Sequence, residues 1–553
     1  MSTREEFDVC VVGTGAGGGV MVQELTEAGF RVVALQRGPL LTAADFLNND
    51  ELEVVVRDTL FSPDQVETWR PDESTPAVKG RFNYVAHCVG GTMTHWAAWS
   101  WRFRPDDFNV LSTVGPVAGA SLADWPYTYE DLAPWYDKAE RDFGVAGDAR
   151  ANPFGAPRTS DYVLPPHPPR GSSRLFSRGA RKLGYTPFPV PMAINSREYG
   201  GRAGCMYGGA CQQYGCSVHA KATTFSVCIP RARATGKLDL RPNSMAVEIT
   251  LGADGRARSV RYLDGQRREQ EVFARWIVVA GNAIGTPQLL LSSKSAKFPD
   301  GLANSSGLVG KNLTYHHVAF VAYLAEEPTF HFTGLETHAG IDDLHRSDPK
   351  RGFIRGGVIA DMNMSCKQPI MYATLHHDGR EATKRGWGTG YKDYLRGFSR
   401  AGGIVSILED LPMESNRVDL DPEIKDGFGL AAPRITHRQH ANDIAMNRWY
   451  TERQLEIAEA AGVAEKWVIS SFAVSDTNPM PGSAHFHGTC RMGSDPARSV
   501  VDPWCRAHDV PNLFVVDSSV LPTSGGYNPT LTILANAYRA ADHFVRTVRT
   551  MDA

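Results

Sequence analysis

The stretch FDVCVVGTGAGGGVMVQELTEAGFRVVALQRG, residues 7–38, runs from an apolar segment through a glycine turn and a helical segment to a second apolar segment ending near Leu35. That order makes a complete βαβ unit. Gly13, Gly15 and Gly18 form G-x-G-x-x-G between the strand and the helix. The first glycine permits a tight turn, the second lets a pyrophosphate approach the backbone, and the third lets the helix pack on the strand. The helix N-terminus then faces the phosphates, so a dinucleotide site is expected. Where an Asp or Glu usually binds the adenosine ribose stand Gln36, Arg37 and Gly38. An amide can bond both ribose hydroxyls, which keeps binding while making NAD a poorer fit; the alternative is that Gln36 is only a polar strand end.

Further strand-to-helix units follow. RWIVVAGNAIGTPQLLLSS leads into a helix expected over 286–293, and NLFVVDSSVLP leads through a turn to NPTLTILANAYRAADHFVRTV. The alternating runs at 244–251 and 258–265 predict an antiparallel hairpin. Between these units lie a Pro-rich stretch at 150–170 and a Gly-, His- and charge-rich stretch at 322–402. The expected organisation is one dinucleotide domain built from residues 1–105, 200–315 and 475–553, with a substrate domain inserted as 106–199 and 316–474.

The 553 residues carry 58 Lys and Arg against 61 Asp and Glu, a net charge of −3, which gives no reason to expect nucleic acid or an anionic membrane. The partner expected is a small molecule. The start lacks a basic and apolar leader pattern, and no stretch of about 18 apolar residues suggests a membrane span. Nine scattered cysteines fit reduced thiols better than a disulfide framework, so a cytoplasmic protein is expected.

Four blocks in this order, VVGTGAGGGV (11–20), VGGTMTHW (89–96), GNAIGTPQLLLSS (281–293) and HFHGTCRMG to GGYNPTLTI (485–533), reach from one end of the chain to the other. With them the chain resembles the glucose–methanol–choline (GMC) oxidoreductase family, flavoenzymes that oxidise alcohols with FAD. THW and the stretch CMYGGACQQYGCSVHAKATT are most similar to the branch of pyranose oxidase, glycoside 3-oxidase and gluconate 2-dehydrogenase, which oxidises secondary alcohols of sugars. The resemblance implies an α/β fold: a Rossmann-like FAD-binding domain of the GMC and p-hydroxybenzoate-hydroxylase type, with an inserted α+β substrate domain. It also implies FAD contacts along Gly90, Gly91, Thr94, His95 and Trp96, a bond from Asp517 to the ribityl chain, and Val247 near the adenine.

Alcohol oxidation needs a base for the hydroxyl proton while the flavin takes the hydride, and a neutral imidazole is a natural base. By resemblance that base is His485, with His487 second because the two stand one residue apart. A His-x-His pair in a strand can also grip a metal, but no spaced third ligand is evident; His316-His317 is another close pair, and no metal is expected. Asn528 matches the family position that bonds the substrate hydroxyl. Asn528-Pro529-Thr530 also reads as an N-cap and first turn, whose helix end would stabilise negative charge near flavin N1.

Two features stay open. His95 aligns with a histidine that some relatives join covalently to flavin and others leave hydrogen-bonded. Cys205, Cys211 and Cys216 cluster as they would to hold an iron–sulfur cluster, yet Gly208 stands where many gluconate dehydrogenases have a further cysteine, and buried thiols are the commoner fate. Trp96, Trp99 and Trp101 would pack on a sugar or on an aromatic alcohol, the second substrate class. A flavin-binding relay subunit without alcohol turnover is the reading of another class. Oxygen or a quinone-like acceptor would reoxidise the flavin, and a homo-oligomer or a small accessory subunit is open.

Overall fold

The structure is a computed structural model that describes residues 6–46, 51–52, 61–209, 211–472 and 484–551. The opening βαβ unit consists of β1 (Glu6–Val12), α1 (Ala16–Glu27) and β2 (Val32–Leu35). Much further along come β3 (Leu238–Arg241), β4 (Met245–Leu251), β5 (Ala257–Leu263), β6 (Glu269–Val279) and α2 (Asn282–Ser292). These strands form one sheet in the order β3-β2-β1-β6-β5-β4, with Leu513–Val515 also paired to β6. β1 pairs in parallel with both β2 and β6, and β4–β5 is the expected antiparallel hairpin. Val9, Cys10 and Val11 are all fully buried, as expected for a parallel strand covered on both faces. The helix expected at 286–293 begins earlier, because the Asn282 side-chain oxygen accepts from the Ile284 and Gly285 amides and caps the turn.

A second sheet is built around β7 (His317–Leu324), β8 (Gly357–Asp361) and β9 (Ala401–Leu408), with β9 between the other two. Every residue of β7 and β9 is buried. Alternation explains this: Val321, Tyr323, Ile404 and Leu408 share a core with Met446, Tyr450 and Ile457 of the helix Ala441–Ala461, while Val318, Phe320, Val405 and Ile407 face the other way. A small sheet joins Glu67–Arg70 and Val78–Gly80 to Arg417–Lys425 and Ala431–Thr436, so it spans the division expected from sequence. Two short strands, Thr314–Tyr315 and Phe486–His487, pair antiparallel with Thr314 opposite His487 and Tyr315 opposite Phe486. The C-terminal helix α3 (Thr530–Met551) packs on α1. No described helix is long and apolar enough to cross a membrane.

Gly13 ends β1 with φ +93°, and a Cβ there would lie 2.4 Å from the Ala280 carbonyl oxygen. Gly13→Ala should therefore destabilise the protein by about 3 kcal/mol, the left-handed backbone and the overlap with a fixed carbonyl both contributing. Chemical denaturation measures this; an unchanged midpoint would show that the β1 turn relaxes freely.

Candidate active site

Residues of both large sheets line a cavity of about 330 Å3. Its floor is glycine. A Cβ on Gly91 would lie 2.9 Å from the Gly15 Cα, so the turn after β1 and the turn at 90–91 abut. Gly18 lies against the Gly13 carbonyl, where a Cβ would come to 2.0 Å. Thr14 ties the two turns together: its hydroxyl donates to Gln36 Oε1 at 2.7 Å and accepts from the Gly90 amide at 3.2 Å. Gln36 Oε1 also accepts from the Thr14 amide at 2.9 Å, so the side-chain oxygen is engaged within the protein.

Gly13, Gly15, Gln36, Arg37, Gly91, His95, Trp96, Val247, Asp517, Asn528, Pro529, Thr530 and His485 all line the cavity. Burial pulls the Arg37 guanidinium down to about 10, with Asp426, Glu67 and Asp64 opposing that shift. Gly18, Gly90, Thr94 and His487 stand one layer behind the wall, Thr94 with its hydroxyl 3.2 Å from Cys88 Sγ. Trp99 also lines the cavity, whereas Trp101 stacks on Tyr527 and lines a separate, smaller one. The Asp517 carboxylate accepts from the Asn282 amide at 3.0 Å, the Thr286 hydroxyl at 2.5 Å and the Ser519 amide at 2.8 Å. Burial still raises its pKa above the ordinary carboxylate value.

The register of the two short strands sets the histidines. With Tyr315 opposite Phe486, the next residues, His316 and His485, are cross-strand neighbours. Tyr315 and Phe486 turn to a core with Ile284, Leu313 and Ile435, so the three histidines 316, 485 and 487 share the opposite face. The His316 ring lies 5.1 Å from each of the other two, centroid to centroid. His485 Nδ1 is 3.0 Å from His316 Nδ1, and His485 Nε2 is 3.2 Å from Asn528 Nδ2. Burial lowers His485 to about 4 and His487 to about 3, so both rings are neutral near pH 7. Asn528 Oδ1 has no hydrogen-bond partner among the described residues, so it caps no amide of α3.

His316 and His317 diverge, as neighbours in extended chain must. His317 Nε2 lies 3.1 Å from Asp410 and 3.7 Å from Asp443, and His437 Nε2 lies 2.9 Å from Asp410. The two carboxylates lift His317 to about 10 against the pull of burial, so the cluster is held as an ion pair with His317 protonated.

His95 is buried, and burial together with the nearby Lys221 ammonium lowers it to about 3. Its Nε2 lacks a partner among the described residues. Lys221 donates to the carbonyls of Trp96, Cys211 and Tyr214, fastening the THW segment to the cysteine-bearing loop. Cys205, Cys211 and Cys216 are half-buried, and burial pushes the Cys211 thiol up to about 12.

The wall contributed by the inner face of the second sheet and its edges is apolar: Val318, Phe320, Met362, Met364, Val405 and Ile407. Neither this wall nor His316 and Ser524 was read as functional from the sequence. The adjacent histidines 316–317 were the only visible signal.

These residues fit FAD. A Cβ on Gly15 would meet nothing closer than 4.0 Å, which leaves the backbone open to a pyrophosphate. The unpartnered polar atoms of His95 and Asn528 stand on the cavity wall where a polar ring system can satisfy them.

Comparison with known proteins agrees. The N-terminal and C-terminal models of the GMC oxidoreductase family match residues 120–318 and 412–537. The chain is 33% identical to 2-methyl-1,2-propanediol dehydrogenase of Mycolicibacterium austroafricanum over 99% of its own length and 96% of that protein's. It is 34% identical to paromamine 6'-oxidase of Streptomyces fradiae, over 98% and 92%. The crystal structure of pyridoxine 4-oxidase from Mesorbium loti shares the fold with a TM-score of 0.67 at 20% identity, covering 98% of this chain and 99% of that one. Glycine floor, histidine pair and whole-length similarity lead to one conclusion: this chain belongs to the GMC oxidoreductase family and is an FAD-dependent alcohol oxidoreductase.

Proposed function

We propose that the protein oxidises a secondary alcohol of a sugar, glycoside or polyol to a ketone, with His485 as the base. The observation that carries the base assignment is the His485–Asn528 contact of 3.2 Å on the cavity wall. FAD supplies the hydride acceptor for the alcohol carbon. His485 Nε2 takes the hydroxyl proton, and the Asn528 amide donates to the alcohol oxygen as that proton leaves. His487, behind the wall, is the second choice. The glycines 13, 15, 18, 90 and 91 with Gln36 and Arg37 hold the dinucleotide, Asp517 the ribityl chain, and Val247 lies beside the adenine. In this reading the cofactor half is 1–105, 200–315 and 475–553, and the substrate half 106–199 and 316–474.

Relatives named for a propanediol, for paromamine and for fructose support the polyol and sugar class. A second reading, a hydrophobic or aromatic alcohol, is favoured by the apolar wall of Val318, Phe320, Met362, Met364, Val405 and Ile407. The nine unpaired cysteines support the cytoplasm as location, and oxygen or a quinone-like compound as acceptor completes the cycle. Anaerobic mixing with glucose, glucosides, gluconate and aromatic alcohols tests the substrate class: bleaching of the flavin by a sugar or polyol is expected, and bleaching by aromatic alcohols alone would replace this class with the second.

His485→Ala should slow bleaching about 10^2- to 10^4-fold while the flavin stays bound, the usual worth of a positioned base. A native rate would pass the role to another group. Because burial holds His485 near 4 instead of 6.5, kcat/KM should stay level from about pH 8 to about pH 5 and fall only below that. An acid limb centred near 6.5 would contradict this. The flavin is expected to stay with acid-precipitated protein through a link to His95 and to be extracted from His95→Ala; extraction from the native protein would rule the link out.

A further inference from the structure

His316 is fully buried behind the proton acceptor, and its hydrogen bonds constrain a choice that His485 could not make alone. A neutral imidazole carries one N–H and one lone pair, and which nitrogen holds the proton decides whether the ring can act as a base at a given place. His316 Nε2 lies 2.9 Å from the Ser524 carbonyl oxygen, which can only accept. The single proton of His316 is therefore on Nε2, and its Nδ1 is a bare acceptor. That nitrogen faces His485 Nδ1 at 3.0 Å, so the contact requires the His485 proton to be on Nδ1. Burial beside two other imidazoles keeps His316 neutral.

We propose that His316 is the positioning residue of the active-site base: tied to the Ser524 carbonyl, it accepts the Nδ1–H of His485 and so holds the His485 Nε2 lone pair toward Asn528 and the cavity. The proposal rests on the reading of His485 as base. It adds that one turn grips both ends of the pair, since Ser524 and Asn528 stand four residues apart on Ser524-Gly-Gly-Tyr-Asn528. That turn is anchored in its own right. Ser524 Oγ accepts from the Asp410 amide at 3.2 Å, and the Asp410 carboxylate accepts from the Tyr315 amide at 2.7 Å, next to His316. A proton taken up at Nε2 also has no exit through His316, because the chain ends on a carbonyl. It stays on His485 and leaves through the cavity.

The test uses the FAD-loaded enzyme with nitrogen-15-labelled histidine, the His485 signals being identified by their loss in His485→Asn. A His485 protonated on Nδ1 and bare on Nε2 is expected; a bare Nδ1 would overturn the proposal whether or not any variant folds. His316→Phe, which cannot accept, should lower the limiting rate of flavin reduction about tenfold or more with KM within about twofold, and His316→Gln, which keeps an acceptor and a donor, should recover most of that loss. Reduction by His316→Phe within about twofold of the native rate would also overturn it. A His485→Asn enzyme that bleaches at the native rate would instead remove the base reading, a failure the tautomer signal distinguishes from one of positioning.

Discussion

The pairing of Tyr315 with Phe486 is the constraint on which the active site depends. Two residues of strand on each side suffice to bring His316 beside His485, although the chain between them makes five of the six strands of the second sheet. Period-two alternation then divides the labour: aromatic rings to the core, imidazoles to the opposite face, where His485 reaches the cavity. A slip of one residue would exchange the two sets and bury His485 in a hydrocarbon core. The pairing is held from outside by Asp410, whose carboxylate accepts from the Tyr315 backbone and from two further histidines. A buried charge network of this kind is better understood as fixing register than as adding stability, since desolvation offsets most of its Coulombic gain.

The first sheet was readable because its signals are local. The β1–α1–β2 unit, the β4–β5 hairpin and the strand-to-helix units at 276–293 and 512–548 each announce themselves within fewer than about forty residues. The second sheet was not readable, for a physical reason. β7 and β9 are covered on both faces, by the helix Ala441–Ala461 on one side and the cavity on the other, so HVAFVAYL and AGGIVSIL show no alternation of polar and apolar residues. His485 and Asn528 could be named from a motif, whereas the contact between His316 and His485 is a product of register across 169 positions, which no local pattern encodes. Gln36 illustrates the same limit: its place at the strand end was legible, but its oxygen is engaged by Thr14.

The cavity is chemically two-sided. One wall carries glycine backbone, buried carboxylate and imidazole; the other carries only aliphatic, thioether and phenyl groups. Burial holds every imidazole on the polar side neutral: His87, His95 and His485 on the cavity wall, and His316 and His487 behind it.

The order of strands in the first sheet has a consequence for how the chain comes to be made. β1 leaves the ribosome well before its neighbour β6, which follows more than 250 residues later, and Leu513–Val515 and Asp517 come later still. Closing loops of that length is entropically costly and slow, so the half that is written first is completed last. The second sheet, whose main strands lie between 317 and 468, can assemble while the nucleotide half still waits for its end. A nascent chain of this topology therefore carries one edge of β1 unpaired until β6 is made, and one edge of β6 unpaired until Leu513–Val515 docks. The cavity for FAD is complete only once the segment bearing Asp517 and Asn528 has been made, and a cofactor that binds only that folded state adds to its stability by mass action.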